Sequence, residues 1–189
     1  YADVYNLKWI SEQDNGQSEA INKGIKMASG EWVGWQNSDD VYLSDAFNHF
    51  LRHIRNDDCD VVYGDKMLIN QNGKQIGRRY YTRPSKYIQK YRSLFAPNQA
   101  TLYHKRIFSK IGYINESFDY AMDVELCWRI LNSKLTAKHI PHMLGAQRLH
   151  SDTKTRNNDK QMSKERWSIY EGKPHRFFLL RSILSILLQ

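Results

Sequence analysis

Cysteine is scarce in this sequence: only Cys59 and Cys127 occur, and neither stands in a Cys-x-x-Cys or Cys/His ligand spacing. Neither a zinc site nor a disulfide framework is indicated, and both residues read as reduced core thiols of a cytosolic protein. An apolar run of ~20 residues is also missing, as is a basic-then-apolar leader, so neither a complete membrane span nor a signal peptide is visible. A cytoplasmic place is the expectation. A third scarcity is local. Between Lys66 and Asn115 there are 11 Lys and Arg and no Asp or Glu at all.

What is present describes a globular protein. Hydrophobic residues at 41% and charged residues at 25% are unlike a disordered or collagen-like chain, and 189 residues suffice for one domain with a real core. The net charge of +8 is unevenly spread, because Tyr1 to Asp65 carries 5 basic residues against 12 acidic ones. A long basic segment beside an acidic one suits a nucleic-acid surface, an anionic membrane face or a phosphorylated substrate, and equally a plain solvated face.

Apolar periodicity gives the order of elements. Leu7 to Ser11 reads as a short strand, Gln17 to Ala28 as a helix with one buried face, and Trp32 to Trp35 as a buried strand running into Asn37-Ser38-Asp39-Asp40. Ser44 to Arg55 reads as a helix and Val61 to Gly64 as a strand. This alternation predicts an α/β fold with a parallel sheet. Asn72-Gly73 between Met67-Leu68-Ile69 and Gln75-Ile76 predicts a hairpin. Further on, Gln99 to His104 reads as a strand, Lys105 to Ile111 and Asp123 to Leu131 as short helices, and Thr136 to Ile140 and Met143 to His150 as two late strands. Residues 1–150 would form one folded domain. Residues 151–189 would form a polar linker, mobile over Ser151 to Lys160, and an amphipathic helix over Phe177 to Leu188.

The chemistry centres on Asp39 and Asp40, adjacent carboxylates just beyond a strand, where open α/β sheets keep their ligand sites. Adjacent aspartates on a turn can divide labour, one holding a hard cation and the other accepting from ribose hydroxyls; they can also simply cap the helix that follows.

The ordered string Asp14-Asn15-Gly16-Gln17-Ser18-x-Ala20-Ile21-Asn22-x-Gly24, Ala28-x-Gly30-Glu31 and Asn37-Ser38-Asp39-Asp40 resembles family-two glycosyltransferases of the A-type fold. The resemblance continues through Pro97-Asn98-Gln99-Ala100-Thr101, Ile111-Gly112-Tyr113-Ile114-x-Glu116, Asp123-x-Glu125-Leu126-x-x-Arg129 and Arg148-x-His150, covering roughly Trp9 to His150. It implies a Rossmann-like mixed sheet with flanking helices. It also implies inverting transfer of a sugar, most often from a UDP-sugar, to a hydroxyl of a glycan or lipid-linked acceptor in surface polysaccharide biosynthesis, with Mn²⁺ or Mg²⁺ on the diphosphate.

Carried over residue by residue, the resemblance makes Asp40 the principal metal ligand, with Asp39 on the ribose or the metal and His150 as a third metal or phosphate contact. Asp14 and Gln17 would lie near the nucleoside, and Arg148 would meet the diphosphate. Asp123 would be the general base, with Glu125 the weaker candidate because Met122 stands where most relatives have a Glu. Asp123 could instead cap a helix, and His150 could be structural. Relatives begin with a Ser-x-Ile-x-Pro-like strand and a second strand ending in Asp-Gly-Ser. Neither is found here, so the chain is expected to lack those first strands and to leave Leu7, Trp9, Ile10, Trp32 and Val33 exposed.

On this reading the basic segment guides a phosphorylated lipid acceptor or rests peripherally on an anionic membrane face. The alternatives are a nucleic-acid-binding domain, with Arg78, Arg79, Arg83, Lys86, Lys90 and Arg92 on phosphates and Tyr80, Tyr81, Tyr87 and Tyr91 stacking on bases, and a catalytically silent sugar-binding relative.

Overall fold

The structure is a computed structural model that describes residues 7–55, 58–91, 94–150 and 159–170. Its organising element is β3 (Val61–Asn70), which lies parallel to the long β6 (Ala137–Leu149) along its whole length. The other edge of β3 is shared. β5 (Thr101–His104) pairs antiparallel with Val61 to Tyr63, and β4 (Gln75–Arg79) pairs antiparallel with Lys66 to Ile69. The short strands β1 (Trp32–Val33) and β2 (Val41–Tyr42) add antiparallel to β5 and β6, giving the order β1-β5-β3-β6-β2 among the described residues. The sheet is therefore mixed, as the family resemblance implies. The all-parallel sheet expected from the alternation of elements is corrected: its parallel pair is β3 with β6.

Alternation along β3 divides the core. Val61 and Tyr63 point into a layer with Phe95, Ile107, Leu126 and Ile130, beneath α1 (Gln17–Met27), α4 (Arg106–Ile111) and α5 (Met122–Asn132). Val62 points the other way, onto Ile140, Leu144 and Phe50 of α2 (Ala46–Ile54). Helix α1 docks by hydrogen bonds as well as by Ile25. Ser18 Oγ donates to Phe118 O at 2.9 Å, and one turn later Asn22 both donates to Ile114 O (2.9 Å) and accepts from Ile114 N (3.0 Å). Buried polar side chains persist where such pairs satisfy them. These two fix α1 against the segment that leads into α5.

Four further expectations change. Leu7 to Ser11 forms no strand, since no strand among the described residues pairs with it, and Leu7, Trp9 and Ile10 are exposed at 54%, 74% and 51%. Trp32 and Val33 are instead half-buried and buried, covered through the β1–β5 pairing. The two late strands are one strand with a register shift around Pro141 to Leu144, which absorbs the proline without ending the ladder. The expected hairpin forms, with Asn70 Oδ1 accepting from Asn72 N and Lys74 N and with Gly73 at φ 78. β3 nevertheless runs unbroken into it, past the expected end at Gly64.

The largest change lies past residue 150. Asp159 to Ile169 is a helix, α6, where part of a polar linker was expected, and it packs on α5. Tyr170 meets Trp128 edge-on at 4.9 Å and donates to Gln89 O at 3.0 Å, joining α6 to α3 (Lys86–Tyr91). The helix expected over Phe177 to Leu188 lies outside the described residues, as does the segment 151–158.

Candidate active site

A cavity of about 450 Å³ opens beside the middle of β3, roofed by α5 and α6. One wall is a chain of hydrogen bonds reaching the strand ends. Gln17 Nε2 donates to Asn37 Oδ1 (2.7 Å), Asn37 Nδ2 to Asp40 Oδ2 (3.0 Å), Gln99 Nε2 to the same oxygen (2.7 Å), and Lys66 Nζ to Gln147 Oε1 (2.7 Å). Gln99 reaches Asp40 because the turn Asn98–Ala100 lies directly on β6. A Cβ at Gly145 would stand 1.7 Å from Gln99 O, so only glycine admits that approach.

Asp40 is buried, and its carboxylate is largely committed. Besides Asn37 and Gln99 it accepts from Arg148 N at 2.9 Å, through Oδ1. It therefore clamps the turn after β1 to β6, with both oxygens engaged. Its neighbour Asp39 is more open, and Oδ2 lies 3.0 Å from His150 Nε2. The expected ligand set is thus brought together only in part: Asp39 and His150 meet, while Asp40 turns inward. Among the described residues no group of three or more His, Cys, Asp or Glu is arranged to hold a metal ion. An oxygen and an imidazole nitrogen nevertheless fit a divalent cation that draws its remaining ligands from a diphosphate and water.

Arg148 does not reach out as expected. Its Nε donates to Asp39 O and its Nη1 to Asn70 O and Gln71 O, all at 3.0 Å, so these donors tie the acidic turn to the β3–β4 hairpin. Asp14 also lies apart from the cavity. Lys23 Nζ sits 2.6 Å from both Asp14 and Glu12 and 2.9 Å from Glu19, and these hydrogen-bonded partners raise the Lys23 pKa. The hydrogen bond from the Asn15 backbone, aided by Lys23, lowers Glu19 to about 2. Of the two residues expected near a nucleoside, Gln17 is the one that lines the cavity.

Asp123, on the first turn of α5, lines it too. Its Oδ1 accepts from Val124 N at 2.8 Å, and burial raises its pKa above the ordinary carboxylate range, against the opposing pull of Lys66 and Arg166. Glu125 faces elsewhere. It grips Arg129 with two bonds, Nε to Oε1 at 2.7 Å and Nη2 to Oε2 at 2.8 Å, while Arg129 also donates to carbonyls of the 111–113 loop. Glu125 is a strut, and Asp123 is the carboxylate of α5 that faces the cavity.

Several cavity residues carry signals the sequence reading did not use. Arg79 stands directly opposite Lys66 in the β3–β4 ladder, so the hairpin delivers both cations together. Tyr81 follows because Asp65 Oδ1 accepts its backbone N–H at 2.8 Å and Tyr63 Oη donates to Thr82 O at 2.6 Å. The basic aromatic stretch is therefore split, with Arg79 and Tyr81 turned to the cavity while Tyr80 and Tyr87 are exposed. Asn98 and Gln99 belong to the Pro97-Asn98-Gln99-Ala100-Thr101 motif, which does not by itself reveal their chemistry. Met162 and Arg166 arrive from α6, for which the sequence offered no motif.

A mixed sheet flanked by helices, with polar turns at strand ends beside a cavity that holds a raised-pKa carboxylate, is the layout in which α/β folds keep their ligand sites. Residues 3–112 match the model of Glycosyl transferase family 2, and the chain belongs to that family. An uncharacterized glycosyltransferase of Rickettsia typhi is 28% identical over 178 residues, which is 87% of this chain and 54% of that protein. A PGL/p-HBAD biosynthesis glycosyltransferase of Mycobacterium bovis is 25% identical over 140 residues, covering 71% and 51% respectively. The chain spans about half the length of these curated relatives. Among solved structures, S. aureus TarS 1-349 in complex with UDP-GlcNAc superposes with a TM-score of 0.59 at 17% identity, covering 78% of this chain and 43% of that one. That similarity shows the A-type glycosyltransferase fold.

Proposed function

We propose that this protein transfers a sugar from a UDP-sugar to a hydroxyl of a glycan or lipid-linked acceptor, with inversion, at the cytoplasmic face of a membrane where surface polysaccharide is built. The observation that carries the reading is Asp123. It is a shielded carboxylate at the mouth of α5, facing a cavity whose opposite wall leads through Asn37 and Asp40 to the strand ends. A carboxylate with a raised pKa is suited to accept a proton at neutral pH. The acceptor oxygen attacks the anomeric carbon while its proton passes to Asp123, and the bond from that carbon to the diphosphate breaks with its electron pair leaving on the nucleotide.

Gln17 and Asn37 border the nucleotide side, and Asp39 and His150 would hold a divalent cation, with Asp40 keeping their turn in place. Such a cation neutralises the charge that grows on the departing diphosphate. The bound UDP-GlcNAc of the TarS structure supports the choice of donor class. Membrane attachment rests on the basic composition of 66–115; among the described residues no helix is long and apolar enough to cross a membrane. No observation favours nucleic acid, because the stretch proposed for it is divided between the cavity and the exterior.

The experiment is a panel of UDP-, GDP- and dTDP-sugars incubated with the protein, with Mn²⁺ or with chelator, reading nucleotide release. Metal-dependent release from a UDP-sugar is expected. Metal-dependent release from GDP- or dTDP-sugars alone would replace the donor, and no release from any would favour a silent sugar-binding relative.

A further inference from the structure

Three cations from three separate elements enter one cavity: Lys66 from β3, Arg79 from β4 and Arg166 from α6. Lys66 and Arg79 are cross-strand partners, and Asp123 feels Lys66 and Arg166 as its charged neighbours. The position of Arg166 is built in. Glu165, next to it on α6, is buried and accepts from the backbone N–H groups of Asp119 (3.3 Å), Tyr120 (2.8 Å) and Ala121 (2.9 Å), the three residues that precede α5. A carboxylate held by three N–H donors at the start of a helix is a strong local lock. It fixes α6 to the helix that carries Asp123.

The nucleotide-side residues Gln17, Asn37 and Gln99 are joined by hydrogen bonds to Asp40, whereas Met162 and Arg166 belong to α6 and reach the cavity from across α5. An inverting attack brings the acceptor from the side opposite the leaving diphosphate. The acceptor therefore occupies the α6 side, where Arg166 stands, and Lys66, bonded to Gln147 and Gln99, marks its border with the nucleotide side. We infer that Lys66, Arg79 and Arg166 form an acceptor subsite for a phosphate group, so that the hydroxyl presented to Asp123 belongs to a phosphorylated acceptor. Guanidinium forks suit phosphate oxygens, and two arginines with a lysine offset the cost of desolvating such an anion beside Asp119 and Asp123.

This inference rests on Asp123 as the base, but its test does not require turnover. The full chain is titrated in metal-free buffer with sn-glycerol 3-phosphate, glycerol and a soluble short-chain phosphatidic acid, and separately with UDP and Mn²⁺. Both phosphates bind and glycerol does not. R79Q and R166Q each weaken phosphate binding by about tenfold, the cost of a lost charged hydrogen bond, while UDP affinity moves by less than about twofold. Phosphatidic acid binding more tightly than glycerol 3-phosphate assigns the phosphate to a lipid, and equal binding assigns it to a soluble or polymeric acceptor. Loss of UDP affinity in parallel would overturn the inference by giving these cations to the donor diphosphate. Wild-type phosphate binding in both variants would overturn it outright. Should UDP fail to bind while R166Q still loses phosphate, the donor reading falls and this one stands. R79K and R166K, which keep charge but lose the fork, recover part of the affinity and show that the loss is not unfolding.

Discussion

Two carboxylates sit close to β3, Asp60 just before its first residue and Asp123 across the cavity from Lys66, and the protein treats them in opposite ways. Asp60 is surrounded by donors: Arg106 Nε at 2.7 Å, Thr136 N at 2.9 Å and Thr136 Oγ1 at 3.2 Å, with Lys110 at 3.7 Å. Burial raises its pKa, yet the bonds from Thr136 and Arg106 outweigh burial and leave it lowered. Asp123 is shielded with one hydrogen bond from Val124 N and with cations facing it across open space, so burial wins and its pKa rises. The first arrangement stabilises the fold, and the second spends stability on a group able to take a proton. Complete satisfaction marks the structural carboxylate, and incomplete satisfaction beside a cavity marks the functional one.

The strongest way to break that contrast is Asp123→Asn. Transfer should fall by about 10²–10⁴-fold, the usual worth of a general base, while UDP affinity stays within about twofold of wild type. In wild type the acidic limb of the pH–rate profile should lie above the ordinary aspartate pKa of ~3.9. Because the folded pKa of Asp123 is raised, its contribution to stability is present below that ordinary value and lost as pH rises to the folded pKa. The variant should thus be slightly more heat-stable than wild type at pH 7. Thermal melts beside product assays read both effects.

Asp60→Ala should behave in reverse, costing about 2–3 kcal/mol in urea unfolding at pH 7 by stripping Arg106 and Thr136 of a charged partner. With a lowered folded pKa, the stability Asp60 supplies is present above ~3.9 and disappears as pH falls through the folded value, so wild type and variant should converge in acid. A constant gap down to pH 2 would contradict this account. Gly145→Ala drives a methyl into Gln99 O and should cost about 1–3 kcal/mol, with weakened UDP binding because Gln99 leaves Asp40. The smallest effect belongs to Glu125→Gln. Loss of its Arg129 bridge should cost about 1 kcal/mol, and transfer should remain within a few-fold of wild type. A thousandfold loss there would move the base from Asp123 to Glu125.

Local patterns were legible wherever one element decides the outcome. The spacing of Ile21 and Ile25 foretold α1, Asn72-Gly73 foretold the hairpin, and the polar turn after Trp32 foretold the position of Asp39 and Asp40. What stayed hidden depends on partners far along the chain. Leu7 to Ser11 has a strand's composition but, among the described residues, no strand beside it, and the break expected between Ile140 and Met143 is a register shift that keeps one strand. Lys66 and Arg79 meet through ladder register. Glu165 is buried because the backbone N–H groups of Asp119, Tyr120 and Ala121 come to it, which no helical pattern in Asp159–Ile169 announces. Similarly, the motif marked Asp40 without showing that three donors would close around it.

The most direct test of the central claim is a crystal structure with UDP and Mn²⁺, using anomalous scattering to locate the metal. The account predicts manganese within ligand distance of Asp39 and His150, the diphosphate beside it, and an open volume between the diphosphate and Asp123. Manganese or the diphosphate of UDP held instead among Lys66, Arg79 and Arg166, or a nucleotide bound away from the cavity, would contradict it.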